Sequence, residues 1–125
     1  MRLIRCRLES VRRHRTLEVA FAPGLTLIGG ANESGKSSLV EAMHRTLFVR
    51  AAATGSAIRD LRSATHAGHP QVEIDFDAAG HRWSLLKCFS GSGGTSRLSR
   101  SGQQALLGGD AEDQLAVLLG VDEII

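Results

Sequence analysis

Gly30-Ala31-Asn32-Glu33-Ser34-Gly35-Lys36-Ser37 is the stretch that decides the fold, because it matches GxxxxGK[ST] at every fixed position. The run Leu25–Ile28 before it is apolar or β-branched throughout, as in a strand buried on both faces. After Lys36 the apolar residues recur with the period of an amphipathic helix. They are Leu39, Val40, Met43, Leu47 and Phe48. A buried strand, a glycine-rich loop and a helix in this order predict a P-loop.

The residue types in the motif follow from what a triphosphate requires. Glycines let the backbone turn tightly so that successive N–H groups point at phosphate oxygens, and the positive end of the helix dipole adds to them. Lys36 is expected to span the β- and γ-phosphates of ATP, and the Ser37 hydroxyl to coordinate Mg²⁺. A purely structural turn would explain the glycines and serines, but not a lysine at a helix start, where cations are disfavoured. The candidate nucleotide-binding residues are Gly30, Ala31, Asn32, Glu33, Ser34, Gly35, Lys36, Ser37 and Ser38.

Two further strands are predicted before the glycine-rich motif, and a long connecting segment is predicted after the helix that follows it. Leu3–Glu9 alternates apolar and polar residues as a half-buried strand does, and Thr16–Phe21 is predicted as a second strand. The helix is expected to begin at Gly35-Lys36 and to close near Thr54-Gly55. Residues 56–70 have no clear period and contain small, basic and histidine residues, which predicts a mobile surface segment.

The carboxy-terminal half predicts an antiparallel lobe. Val72–Asp77 alternates apolar and acidic residues, Ala79-Gly80 is a turn signal, and His81–Phe89 is the partner strand of a hairpin. The glycine-rich residues Ser90–Gly94 predict a flexible tip, and Thr95–Ser99 a third strand.

A last helix is predicted before the end of the sequence. Asp110 is the expected N-cap, the leucines Leu115, Leu118 and Leu119 share one side, and Gly120 is the expected left-handed stop. The chain is therefore divided into a P-loop subdomain (1–55), a flexible segment (56–70), and a hairpin lobe with a terminal helix (71–125).

Length and composition place the chain among ordinary globular proteins. Its 125 residues suit one domain, and 42% hydrophobic and 22% charged residues are typical of that class. No apolar run approaches the roughly 20 residues that cross a bilayer, so no membrane association and a cytoplasmic location are expected. Cys6 and Cys88 have neither zinc-site nor disulfide spacing and are interpreted as buried or idle thiols. Arg5 and Arg7, in an arginine-rich first strand, are interpreted as its solvated face in preference to a phosphate contact.

Two stretches, MRLIRCRLESVRRH and FAPGLTLIGGANESGKSSLVEAM, resemble the opening of SMC-class ATPase heads. The likeness is to SbcC-type double-strand-break repair ATPases and their RecF-like relatives, and it extends to the hairpin VEIDFDAAGHRWSLLKCF and the helix DQLAVLLGVD. The resemblance implies an α/β fold: a P-loop NTPase half-domain of the ABC/SMC head type, with a mixed sheet, an antiparallel β-lobe and a P-loop helix. It also implies that Arg12 contacts the base and ribose, with Arg13 as a further candidate. Glu33 departs from the family, where glycine is frequent, and its carboxylate is expected to face solvent or a partner.

The same resemblance implies partners and a division of labour. In the family a carboxy-terminal lobe supplies the remaining catalytic groups, and two heads enclose two ATP molecules, so no catalytic residue is assigned within this chain. ATP and Mg²⁺ are the implied cofactors. The implied partners are that lobe, a second head, DNA and a nuclease. Hydrolysis would be magnesium-assisted attack of water on the γ-phosphate.

Two alternatives remain open at the level of sequence. If Leu115–Val121 were a strand, Asp122 and Glu123 could handle magnesium and water in a small self-contained NTPase or kinase, although a helix is the preferred interpretation. Alternatively, the chain could be a nucleic-acid or partner-binding module that holds ATP as a structural ligand and uses the arginine-rich first strand for contact. Asp75 and Asp77 are weaker magnesium candidates because they alternate with apolar residues, and His66 and His69 form a minor candidate metal pair.

Overall fold

One antiparallel sheet and two α-helices make up the described part of the chain in the computed structural model. The structure describes residues 2–11, 14–21, 33–55, 58, 60–61, 68–121 and 124, with the backbone alone at 14–15 and 33–38. The strands are β1 (Arg2–Val11), β2 (His14–Ala20), β3 (Gln71–Ala78), β4 (His81–Cys88), β5 (Thr95–Arg100) and β6 (Leu106–Leu107). The helices are α1 (Glu33–Phe48) and α2 (Gly108–Leu119), and Gly91–Gly93 forms one 3₁₀ turn.

The sheet has the order β2-β1-β3-β4-β5-β6, and each neighbouring pair is antiparallel. The predicted hairpin is confirmed as β3–β4. Its turn places Ala79 at φ 52° and Gly80 at φ 78°, as a two-residue type I′ turn requires. The pairing of β1 with β3 joins segments far apart in the sequence. The predicted strand Leu25–Ile28, which would make the sheet mixed, lies outside the described residues.

The helices cover one face of the sheet and create the core. Side chains alternate along each strand, so every second residue of β3 is fully buried while its neighbours face outward. α1 packs against β1 and β3, and α2 packs against β5 and β6. Each fully buried leucine contributes roughly 1.5–3 kcal/mol through the hydrophobic effect. The central core residues are Leu8, Leu39, Val72, Ile74, Phe76, Leu85, Leu98 and Leu115.

The outer face of the sheet is a network of ion pairs. The Arg5 guanidinium donates to Glu18 at 2.7 Å, to Asp75 at 3.0 Å and also to Glu73. These carboxylates raise the pKa of Arg5, and Glu18 has the largest effect. Asp77 and Arg82 form a further ion pair. The positive charge of Arg5 is therefore balanced within the sheet, which favours the solvated-face interpretation of β1 over a phosphate-binding surface.

The predicted end of helix α1 is wrong by several residues. α1 stops at Phe48 instead of continuing to Thr54-Gly55, and Ala53 N–H bonds the Arg50 carbonyl in a separate turn. The carbonyl of Val49 accepts a hydrogen bond from Lys87, and the N–H of Ala51 donates to Glu112. These contacts take the backbone groups that would have continued the helix. The start also differs, because α1 begins at Glu33, two residues before Gly35.

Two further expectations need correction. Ile58 and Leu61 are almost fully buried, so residues 56–70 are not a surface segment at these two positions. Asp110 is not the N-cap of α2, because the helix begins at Gly108, directly after β6. Gly108 has φ 58°, and this left-handed conformation turns the chain from the strand into the helix. Asp110 lies in the first turn of α2, where its negative charge interacts favourably with the helix dipole. The left-handed stop at Gly120 is confirmed, with φ 74°.

Candidate nucleotide-binding site at the start of helix α1

The second half of the glycine-rich motif forms the first turn of α1. Glu33 to Lys36 are its first four residues, and the N–H groups of such a turn have no carbonyl partner within the helix. These N–H groups and the helix dipole create a positive end that fits an anion such as a triphosphate. Gly30, Ala31 and Asn32 lie outside the described residues, and the side chains of Glu33, Ser34, Lys36, Ser37 and Ser38 are likewise not described.

The position of α1 is fixed by its packing on the sheet. Leu39, Ala42 and Leu47 are buried against the inner face, and Met43 lies beside them with 9% of its surface exposed. Thr46 is fully buried, and its hydroxyl donates to the Ala42 carbonyl one turn back at 2.7 Å. The four-residue spacing of Leu39, Met43 and Leu47 is therefore the spacing of the buried face, whereas Val40 and Phe48 beside them are exposed. Packing of this face holds α1 on the sheet.

The end of α1 is held by polar contacts that the sequence did not reveal. Lys87 is fully buried on the inner face of β4, and its Nζ donates to the Val49 carbonyl at 2.8 Å. Burial lowers the pKa of Lys87 to about 8, and Glu112 of α2 acts in the opposite direction. Glu112 Oε1 accepts from the Ala51 N–H at 3.1 Å and from the Ser96 hydroxyl at 2.8 Å. A signal did exist, because Trp83, Leu85 and Lys87 alternate along β4 and so share one face.

Several predicted site residues lie outside the part of the chain that the structure describes. Arg12 and Arg13 fall between Val11 and His14, which pair with each other across the ends of β1 and β2. Asp122, Glu123 and His66 are also outside it.

The alternative based on Asp122 and Glu123 loses its structural premise. Leu115–Leu119 is helical and forms the last part of α2, so the strand that would have led into these two carboxylates is absent there. The preferred helix is confirmed. Asp75 and Asp77 occupy the outer face of β3 and pair with Arg5 and Arg82, as their alternation indicated.

Among the described residues, one cleft is lined by residues outside helix α1. It has a volume of about 530 Å³ and lies between β4, β5 and α2, with Trp83, Leu98 and Leu118 in its lining. The Arg100 guanidinium lies over the Trp83 ring at 5.5 Å from its centre. The described residues contain no group of three or more histidine, cysteine or carboxylate side chains suited to a metal ion. Within the same residues, no helix is long and apolar enough to cross a membrane.

The two cysteines are free thiols, as the sequence predicted. Cys6 is fully buried in β1, whereas Cys88 is half-buried on the outward side of β4. Burial raises the pKa of the Cys6 thiol to about 12, against a small opposing effect of Arg5.

Comparison with known proteins decides the family. Residues 5–117 match the model of a family described as "AAA domain". The chain belongs to this AAA-domain family. The match includes the whole motif, helix α1 and most of α2, so the AAA-type P-loop ATPase class is shown for most of the chain.

Individual relatives extend the comparison. The "DNA double-strand break repair Rad50 ATPase" of Methanosarcina acetivorans is 27% identical over 98% of this chain and 12% of its own length. The protein of the same name from Methanopyrus kandleri is 30% identical, with 87% and 13% covered. The "DNA replication and repair protein RecF" of Stenotrophomonas maltophilia is 34% identical, with 65% and 22% covered. These similarities confirm the resemblance to the amino-terminal lobe of SMC-class ATPases, and the chain spans less than a quarter of each relative's length.

Proposed function

We propose that this chain binds ATP with Mg²⁺ through residues 30–38 and forms the amino-terminal half of an ATPase head that acts in DNA repair. The observation that supports it most is the position of Lys36 in the first turn of α1, where an unpaired cation is unfavourable and a bound polyanion makes it favourable. The AAA-domain match over residues 5–117 and the repair functions named for the relatives support the same conclusion.

The residues of the motif have separate roles in this proposal. The N–H groups at the start of α1 bind the β-phosphate, and the Lys36 ammonium bridges the β- and γ-phosphates. Ser37 holds Mg²⁺, which supplies charge neutralisation for attack of water on the γ-phosphate when it is bound. Arg12 and Arg13 are proposed contacts for the base and ribose. The groups that activate water belong to the carboxy-terminal lobe and to a second head.

An exposed stripe on α1 supports the proposal of a carboxy-terminal lobe as partner. Val40 is 53% exposed and Phe48 38% exposed, although the opposite side of the same helix is buried on the sheet. His44 lies between them at helical spacing, and its ring centre is 5.2 Å from that of Phe48. A helix that is apolar on two sides suits a position between two layers. Most of the length of the curated relatives lies outside the matched region, which is where such a lobe would be encoded.

The remaining parts of the proposal follow the relatives. The names of the Rad50 proteins state double-strand break repair, and that of the RecF protein states replication and repair. We therefore include DNA, a dimer of heads and a nuclease as partners, and the cytoplasm as the location. A nucleic-acid contact through β1 has less support, because carboxylates already surround Arg5.

The test is a titration of ATP binding with and without Mg²⁺ on the parent chain and on the variants K36A and S37A. A charge-assisted hydrogen bond contributes about 1.5–3 kcal/mol, so K36A should weaken Mg·ATP binding about 10- to 100-fold. S37A should remove most of the benefit of Mg²⁺. The matched control is R97A, which deletes one exposed cation from β5 and should leave the affinity unchanged. Equal affinities for K36A and R97A would refute the proposal.

A further inference from the structure

Lys87 is a buried cation in a place where an apolar side chain would fit. It is one of the two lysines of the chain, and none of its surface is accessible to solvent. It lies on the same face of β4 as Trp83 and Leu85, which pack into the core. Removing an ammonium group from water is costly unless it is paired, and an apolar residue of similar volume would avoid that cost. A lysine at this position is explained if its cation has a role that methionine or leucine would not perform.

The partner of Lys87 is the backbone just beyond the P-loop helix. Its Nζ donates to the carbonyl of Val49 at 2.8 Å, and Val49 is the first residue after α1. The last carbonyls of a helix have no partner within it and form the negative end of its dipole. Lys87 therefore binds the far end of the helix whose first turn contains Lys36.

A second contact, from helix α2, holds the residues that follow Val49. Glu112 of α2 accepts the N–H of Ala51 and the hydroxyl of Ser96 on β5, so it joins this segment to both elements. Glu112 also stabilises the charged form of Lys87. Gly94, before β5, brings its backbone so close to Ala51 that a Cβ would overlap the Ala51 carbonyl. We name Val49, Arg50 and Ala51 the exit segment of α1.

We propose that Lys87 and Glu112 are positioning residues for nucleotide binding: by fixing the exit segment, they set where the first turn of α1 meets the triphosphate. This inference rests on the proposed function. α1 is a continuous helix of 16 residues, about 24 Å long, so a shift at its end is transmitted to its start. Neither residue needs to touch the nucleotide.

The test compares Mg·ATP affinity in four variants of the full chain. K87M keeps the volume of the side chain and removes the cation, and its control L85V alters another buried residue on the same face of β4. E112A removes the acceptor for Ala51, and its control D113A alters the exposed neighbour on α2. We expect K87M and E112A to weaken binding about 5-fold, and both controls to stay within about 2-fold of the parent. E112A tests the inference independently if K87M does not fold.

Two further readouts separate positioning from a general loss of structure. Hydrogen exchange at the Ala51 N–H should accelerate in E112A and stay slow in D113A. The parent affinity should fall as pH rises through about 8, where Lys87 loses its charge, and this part of the pH profile should be missing in K87M. Among the described residues, the charged group facing Lys87 is Glu112 of α2, beside the Val49 carbonyl at the end of α1.

The possible results separate the positioning role of Lys87 and Glu112 from the proposed binding of Mg·ATP. If the parent binds Mg·ATP and K36A does not, but K87M and E112A bind like the parent, the positioning role is overturned and the proposed function stands. If the parent itself does not bind Mg·ATP, both are overturned. If L85V and D113A weakened binding by the same factor as K87M and E112A, the positioning role would also be overturned, because any change in β4 or α2 would then have the same effect.

Discussion

Replacing Gly94 by alanine probes how closely the chain just before β5 packs against the exit segment of α1. Gly94 has φ −61° and ψ 148°, a conformation that any residue adopts, so the substitution introduces no backbone strain of its own. The added Cβ would overlap the Ala51 carbonyl oxygen, and it would lie 2.5 Å from the Ala51 carbonyl carbon and 3.0 Å from the Cys88 carbonyl oxygen. These neighbours are all backbone atoms, which cannot rotate aside as a side chain can.

The magnitude follows from what must move. The exit segment and Gly94 would have to separate by about 1 Å, and overpacking of this kind costs about 1–3 kcal/mol. The shift would also weaken the Ala51–Glu112 hydrogen bond, which contributes about 1 kcal/mol. We therefore expect the free energy of unfolding of G94A to fall by about 3 kcal/mol in urea denaturation.

The matched control is the neighbouring glycine. A Cβ on Gly93 would meet only the Ser90 hydroxyl, at 3.9 Å. Alanine at such a position restricts the unfolded chain, so G93A should be stabilised by about 0.5 kcal/mol. Unfolding free energies of G94A and G93A that agree within about 0.5 kcal/mol would show that Gly94 and Ala51 are not closely packed.

Three further predictions concern the turn, the thiols and the buried lysine. A79N should raise the free energy of unfolding by about 0.5 kcal/mol and A79V should lower it in the same denaturation assay, because the type I′ turn with Gly80 requires φ > 0 at this position. Iodoacetamide should label Cys88 and spare Cys6 in the native protein at pH 8, as read by mass spectrometry, and labelling of both without denaturant would contradict the burial of Cys6. The folded pKa of Lys87 is about 8, below its ordinary 10.5, so the unfolded state binds more protons between these values and stability gains with rising pH. The free energy of unfolding of the parent minus that of K87M should therefore rise by about 3 kcal/mol between pH 8 and pH 10.5. Titration of Cys6 cancels in this difference, because both proteins contain it. A difference that does not change with pH would contradict the burial of a charged lysine.

Local pattern was enough to predict the elements whose signals lie within a few residues. The β3–β4 hairpin followed from alternation on either side of Ala79-Gly80, and the end of α2 followed from Gly120. Both features depend on the backbone preferences of single residues, such as the positive φ that glycine adopts at Gly80 and Gly120. The order of the sheet is different, because the pairing of β1 with β3 joins residues as far apart in the sequence as Arg2 and Asp77, and no local signal specifies it.

Boundaries and buried polar contacts were the features that local pattern missed. The end of α1 depends on Lys87 and Glu112, which lie far along the chain and compete for its last backbone groups. Ile58 and Leu61 have polar neighbours in the sequence, so their burial could not be inferred from local hydrophobicity. At the site, the motif predicted the residues and the chemistry, while the fixation of α1 at its far end required the three-dimensional contacts.

Binding of a triphosphate at the start of α1 can be observed residue by residue with amide NMR during titration with Mg·ATP. We expect the largest chemical-shift changes at the N–H groups of residues 30–37, and we expect K36A to abolish them at the same ATP concentration. Changes centred instead on the cleft between β4, β5 and α2, around Trp83 and Leu118, would contradict binding at the start of α1.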